Sequence, residues 1–162
     1  MRTSSVDGAL AALDLAISRL ARVNVDGLAH ADLLSAVRMQ HRLVNRMQAQ
    51  RTRLISAVRA RGAVVEAQSP STSVWLRTEL HLGDGVAQLR AATVTEVLPA
   101  VAEAYARGEF SLEHVEVIAS VARDFRPAGL ARADRRLAIE AARLTPEGLR
   151  RAAARIRQEA SG

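Results

Sequence analysis

The 162-residue chain (17.4 kDa) is 49% hydrophobic but only 2% aromatic, lacks cysteine, and carries +6 from 23 basic and 17 acidic side chains. Disulfides and cysteine-based zinc or thiol chemistry are thereby excluded, and the aromatics are too few for a stacking platform that reads single strands or RNA. No apolar run approaches the span of a bilayer, and Asp7 and Asp14 break any secretory leader near the start. The expectation is a soluble, cytoplasmic, helix-rich protein with no membrane segment.

In chain order, Leu10, Leu13, Ile17 and Leu20 step by three and four residues and predict a first helix from about Ser5 to Arg22. Asn24-Val25-Asp26-Gly27 then reads as a turn. A much longer second helix follows and ends at Gly62. Along it, Leu33, Val37, Gln40, Val44, Met47, Arg51, Leu54 and Val58 alternate four and three apart. That is a heptad-spaced seam over nearly four repeats, interrupted by Gln40 and Arg51 and widened by Ile55. At 1.5 Å per residue the second helix is roughly 45 Å long and the first about 27 Å, so a simple hairpin leaves part of the seam uncovered. The C-terminal helices or a second copy of the chain must close it.

Residues 63–73 predict a connector, with Ser-Pro-Ser-Thr-Ser at its end. Shorter helices are predicted from about Val74 to His81, Asp84 to Val97, Pro99 to Arg107, Ser111 to Arg123, Ala128 to Arg143 and Thr145 to Glu159. Gly108 supplies a stop, Ser111 and Thr145 supply N-caps, and Pro146 suits a first helical position. No stretch alternates as a strand. The expected fold is all-α: a long N-terminal helical hairpin over residues 1–62, coiled-coil-like, and a bundle of shorter helices over 74–162. The bundle either stands apart or packs with the hairpin as one domain.

Charge is laid out in three blocks. Residues 1–65 carry +6, residues 66–120 carry −5, and residues 121–162 carry +5. Every basic residue is arginine, which a GC-rich coding bias explains more simply than selection for bidentate phosphate contacts. On the second helix Arg38, Arg42, Arg46 and Arg53 fall within a window of roughly 80°, nearly opposite the apolar stripe, and no acid lies between Leu33 and Val65. Such a stripe tracks phosphates or simply keeps an apolar helix solvated. Arg150, Arg151, Arg155 and Arg157 form a second basic group near the C-terminus.

Trp75 to Ala92 has the outline of a helix-turn-helix, with Leu82-Gly83-Asp84 as its turn and Gln88 and Arg90 as the side chains its second helix offers. The outline is equally that of an ordinary helical hairpin with Trp75 as a core anchor. His30, His41, His81 and His114 are dispersed and show no ligand spacing, so no metal site and no cofactor are expected. His114 stands three residues after Ser111, where it suits a bond back to the helix start. No nucleophile elbow or glycine-rich phosphate loop is present, and no catalytic residue is assigned.

The ordered segments Ser73-Val74-Trp75-Leu76, Leu82-Gly83-Asp84, Leu98-Pro99-Ala100, Gly108-Glu109-Phe110-Ser111-Leu112-Glu113-His114 and Leu144-Thr145-Pro146-Glu147-Gly148-Leu149-Arg150 follow the long helix. Together they resemble the helical domain of unknown function at the front of the thirteen-E-twelve repeat proteins, which are predicted HNH endonucleases. The resemblance implies that nuclease chemistry lies in a separate C-terminal His-Asn-His module of the same reading frame, so no catalytic residue carries over. It also implies an Arg-rich helix after the Trp-Leu segment, where this chain has Asp84-Gly85-Val86-Ala87-Gln88-Leu89-Arg90. The expected function is a non-catalytic module that binds DNA phosphates through its arginines or positions a linked HNH nuclease. The alternative is an oligomerisation or protein-interaction module, a homodimer through the seam, with no direct DNA contact.

Overall fold

The computed structural model describes residues 5–161; the outermost ends of the expected segments, residues 1–4 and 162, lie outside it. Among the described residues the chain is helical throughout, with no strand. The elements are α1 (Ser5–Leu20), α2 (His30–Arg61), a 3₁₀ turn at Ala63–Val65, α3 (Thr72–Glu79), α4 (Gly85–Val97), α5 (Pro99–Ala106), α6 (Leu112–Ala122), α7 (Pro127–Arg143) and α8 (Pro146–Ser161).

Local chemistry sets these boundaries. The Ser71 hydroxyl accepts from the Val74 N–H at 3.2 Å and starts α3, and the Asp84 carboxylate accepts from the Ala87 N–H at 2.8 Å and starts α4. Pro99, Pro127 and Pro146 open α5, α7 and α8, where a missing N–H costs nothing. At α6, Nδ1 of His114 accepts from the Ser111 N–H at 3.3 Å, while its Nε2 lies 2.8 Å from the carbonyl oxygen of Leu144. One imidazole thus closes the start of α6 and ties it to the α7–α8 turn. Gly62 ends α2 at a positive φ of 63°.

Backbone proximity divides the chain within α2, into Met1–Met39 and Gln40–Gly162. In the first unit no described residue is buried, and Leu10, Leu15, Ile17 and Leu20 of α1 are about half exposed. The second unit holds the core. Its centre is α6, whose Val115 and Ile118 are fully enclosed, packed against α4 and α8. Helix α7 lies against α8 and α5, and α3 against α4. Leu98, Val101, Leu137 and Leu149 complete the interior, and Tyr105 stacks on Phe110 with ring centroids 6.0 Å apart. A smaller cluster joins Ile55, Leu76 and Ala92, with Trp75 packed on it as an anchor.

The interior is rich in alanine: Ala91, Ala104, Ala133, Ala141 and Ala153 are all buried. Small side chains let helix backbones approach closely, so this core fills with few aromatics. Gly85 shows the same economy, since a Cβ there would sit 2.6 Å from the Ser73 carbonyl oxygen.

Candidate nucleic-acid interface

Helix α2 presents three different faces. Its buried residues are Asn45, Ala49, Thr52 and Ile55. At about 100° per residue they lie roughly a third of a turn from the heptad seam. The apolar seam is therefore not the face that α2 turns to the core. Val37 (63%), Val44 (48%), Met47 (40%) and Leu54 (49%) stay exposed, as does Gln40, while Leu33, Arg51 and Val58 are half-buried.

The reason is polar complementarity at close range. Asn45 Nδ2 donates to the Gly108 carbonyl at 3.3 Å, Gln48 Oε1 accepts from the Leu112 N–H at 3.3 Å, and the Thr52 hydroxyl lies 3.4 Å from that of Tyr105. Asn45 and Gln48 satisfy backbone groups at the α5–α6 turn that an apolar side chain would strand. Burial raises the Tyr105 pKa above the ordinary phenol value, against the Thr52 hydrogen bond, which lowers it. Further along, Ser56 and Arg59 both hydrogen-bond Glu96, the guanidinium at 2.7–2.8 Å. The Ser56 hydrogen bond and the Arg59 contacts hold the Glu96 carboxyl below its ordinary range.

The third face carries the arginines. Arg38, Arg42, Arg46 and Arg53 are all exposed, as the helical spacing predicts. Among the described residues none of the four is ion-paired, and Arg53 bonds only Gln50, at 3.5 Å. The α5–α6 turn braces two of them. A Cβ at Gly108 would meet Arg46 Cγ at 2.8 Å and Arg42 Cγ at 3.0 Å, so both arginine stems pass directly over this glycine. Packed stems with solvated heads lose less conformational freedom when a phosphate arrives. Asn45, and the bracing role of Gly108 beyond its helix stop, are thus what sequence reasoning missed. Their signal is a lone asparagine between arginines and a glycine beyond the end of α5.

The second basic group is more mixed. On α8, Arg150 and Arg155 are exposed without an acidic partner among the described residues. Arg151 pairs with Glu147 at 2.9 Å, and Arg157 pairs with Asp124 at 3.5 Å. Arg150 and Arg157 line a cleft of about 260 Å³ with Ser120 and Asp124.

In the segment that the sequence outlines as a helix-turn-helix, α3 and α4 are joined by residues 80–84. Gln88 is buried, 7% exposed, and its Oε1 has no partner among the described residues. Arg90 is exposed and lies 3.5 Å from Asp84. Nearby on α6, Glu116 has its pKa raised by burial and by the negative charges of Asp84 and Glu113, against a smaller opposite effect of Arg90. This end of α4 therefore gathers carboxylates, which repel phosphate. A group whose folded pKa is raised costs stability once it ionises. Glu116→Gln is accordingly expected to raise the Tm at pH 7, with the gain vanishing as pH falls below about 4, in paired thermal melts.

Among the described residues no group of three or more His, Asp or Glu side chains is placed to hold a metal ion. No helix among them is long and apolar enough to cross a membrane.

Residues 31–161 match the family described as domain of unknown function DUF222. The chain belongs to that family. The match starts at the beginning of α2 and runs through α8, so the DUF222 region comprises the arginine-bearing helix, the braced turn and the core. No curated protein and no solved structure matches the chain.

Proposed function

We propose that this DUF222 chain is a non-catalytic helical module that engages the DNA backbone and positions an HNH nuclease linked in the same reading frame. The observation that carries the reading is the arginine face of α2. Four exposed guanidinium groups, with no ion pair among the described residues, lie on one side of one helix, two of them with stems packed over Gly108. By contrast, the half-buried Arg59 and the exposed Arg107, Arg136 and Arg151 are engaged by carboxylates. Unpaired arginines that project from a rigid element suit phosphate oxygens, which fix position without reading sequence. Arg150 and Arg155 of α8 extend the same chemistry. The link to an HNH module rests on the resemblance of the ordered motifs to the front domain of the thirteen-E-twelve repeat proteins.

Fluorescence anisotropy with a short duplex tests the reading. If Arg38, Arg42, Arg46 and Arg53 each neutralise one phosphate, log K against log salt slopes by about −3.6. Replacing Arg42, Arg46 and Arg53 by Gln should bring the slope towards about −1 and remove most of the binding at low salt. A flat response in the unaltered chain, or a slope unmoved by the triple substitution, contradicts the proposal.

A further inference from the structure

Within Gln40–Gly162 the arginine face of α2 consists of Arg42, Arg46 and Arg53, all exposed. At about 100° per residue the three lie within about 40° of one another, so they form a straight ridge along the helix. Their spacing along it is uneven. Arg42 and Arg46 are four residues apart, about 6 Å, and Arg53 follows seven residues later, about 10.5 Å. In the gap the exposed side chains, Met47 and Gln50, carry no charge, and Arg53 donates to Gln50 Oε1 at 3.5 Å.

The two steps match different features of B-form DNA. The longer is close to the width of the major groove, about 12 Å, and well beyond that of the minor groove, about 6 Å. The shorter suits neighbouring phosphates of one strand. Arg42 and Arg46, with their stems packed over Gly108, already form a braced pair. The carboxylates of the adjoining turn, Glu103 and Glu109, are both engaged by Arg107, at 2.8 and 2.7 Å, which offsets their repulsion of a phosphate.

The aromatic rings point the same way. Tyr105 and Phe110 are buried, Trp75 packs on the Ile55, Leu76 and Ala92 cluster, and Phe125 packs on the main core. None of the four rings is exposed as a platform for an unpaired base. On α2 itself the His41 imidazole lies 3.4 Å from Asn45 through Nε2, which ties it to the core-facing side. A duplex hides its bases and offers two ordered rows of phosphates, and it needs no such platform.

We propose that α2 bridges the major groove of double-stranded DNA, with Arg42 and Arg46 on neighbouring phosphates of one strand and Arg53 on the opposite strand. The bridge rests on the phosphate-binding proposal and narrows its ligand to the duplex.

Fluorescence anisotropy of the full chain tests it with three probes of one length: a duplex, a single strand, and a duplex in which one strand is made neutral with methylphosphonate linkages. The single strand should bind at least about tenfold more weakly than the duplex. On the charged duplex Arg53→Gln should reduce the slope of log K against log salt by about 0.9. On the half-neutral duplex it should leave the slope unchanged, because Arg42 and Arg46 take the charged strand and Arg53 already faces the neutral one. Arg42→Gln should lower the slope on both duplexes. Far-UV circular dichroism of both variants should be unaltered, since neither guanidinium belongs to the core. His41→Ala should leave duplex affinity unchanged. Equal losses from Arg53→Gln on the two duplexes place all contacts on one strand and overturn the bridge while the phosphate-binding proposal stands. A single strand bound as tightly as the duplex overturns it too. Binding to none of the three probes at low salt overturns both proposals.

Discussion

Gly108→Ala is expected to destabilise the protein by about 3 kcal/mol and to lower the Tm by roughly 10 °C. Two costs add. Gly108 holds a φ of 78°, in the left-handed region that an L side chain rarely adopts. An added Cβ would also stand 2.5 Å from the Arg42 carbonyl oxygen, a backbone atom of α2 that cannot rotate away. Relief requires the α5–α6 turn to lift off α2, and that breaks the Asn45 bond to the Gly108 carbonyl and the Gln48 bond to Leu112. Urea denaturation measures the loss directly. Gly83→Ala is the control: Gly83 has open space at its Cβ position and no positive φ, so its change should stay within about 0.5 kcal/mol. Lifting the turn also frees the Arg42 and Arg46 stems. The Gly108→Ala chain, at a temperature where it remains folded, should therefore bind duplex DNA more weakly than the Gly83→Ala chain.

Asp134→Ala should cost about 2–3 kcal/mol. Asp134 is buried, 7% exposed, on α7, yet its partners are the backbone N–H groups of Ala100 and Val101, at 2.8 and 3.0 Å. These are orphan donors at the start of α5. The N-cap position of α5 is Leu98, whose side chain has no acceptor, so the cap is supplied by another helix. A negative charge at this end is further favoured by the helix dipole. Removal of the carboxylate strands two donors in the interior, which hydrogen exchange at Ala100 and Val101 would register as faster opening. Asp134→Asn keeps one acceptor oxygen and should lose less than the alanine variant in chemical denaturation.

Much of the secondary structure was legible because its signals are local. Proline at a first helical position, Ser and Asp caps and glycine stops act within one turn of backbone, so the expected helices agree with α1–α8 to within two or three residues. The His114 bond back to Ser111 was legible for the same reason. The outward arginine face of α2 was legible too, since an angular window on a helix follows from spacing alone. The core-facing side of α2 was not. Apolar periodicity pointed to the Val44/Met47 stripe, whereas the fold buries Asn45, Ala49 and Thr52. Hydropathy cannot register the partners that made this choice, namely the Gly108 carbonyl and the Leu112 N–H. They lie more than sixty residues away in the chain. The same limit hid the burial of Gln88, which spacing alone had offered as a surface reader.

The sequence by itself determined that the chain is helical, where its helices begin and end, and that arginine is concentrated at its two ends. Each of these depends on interactions within a few residues or on composition. The tertiary structure decided which face of α2 meets the core, which buried acid caps α5, and which arginines remain without carboxylates. Those outcomes depend on pairs such as Asp134 with Ala100, or Gly108 with Arg42, brought together only when distant helices pack. Burial makes such pairings stringent, because a polar group removed from water must find its partner in the fold itself.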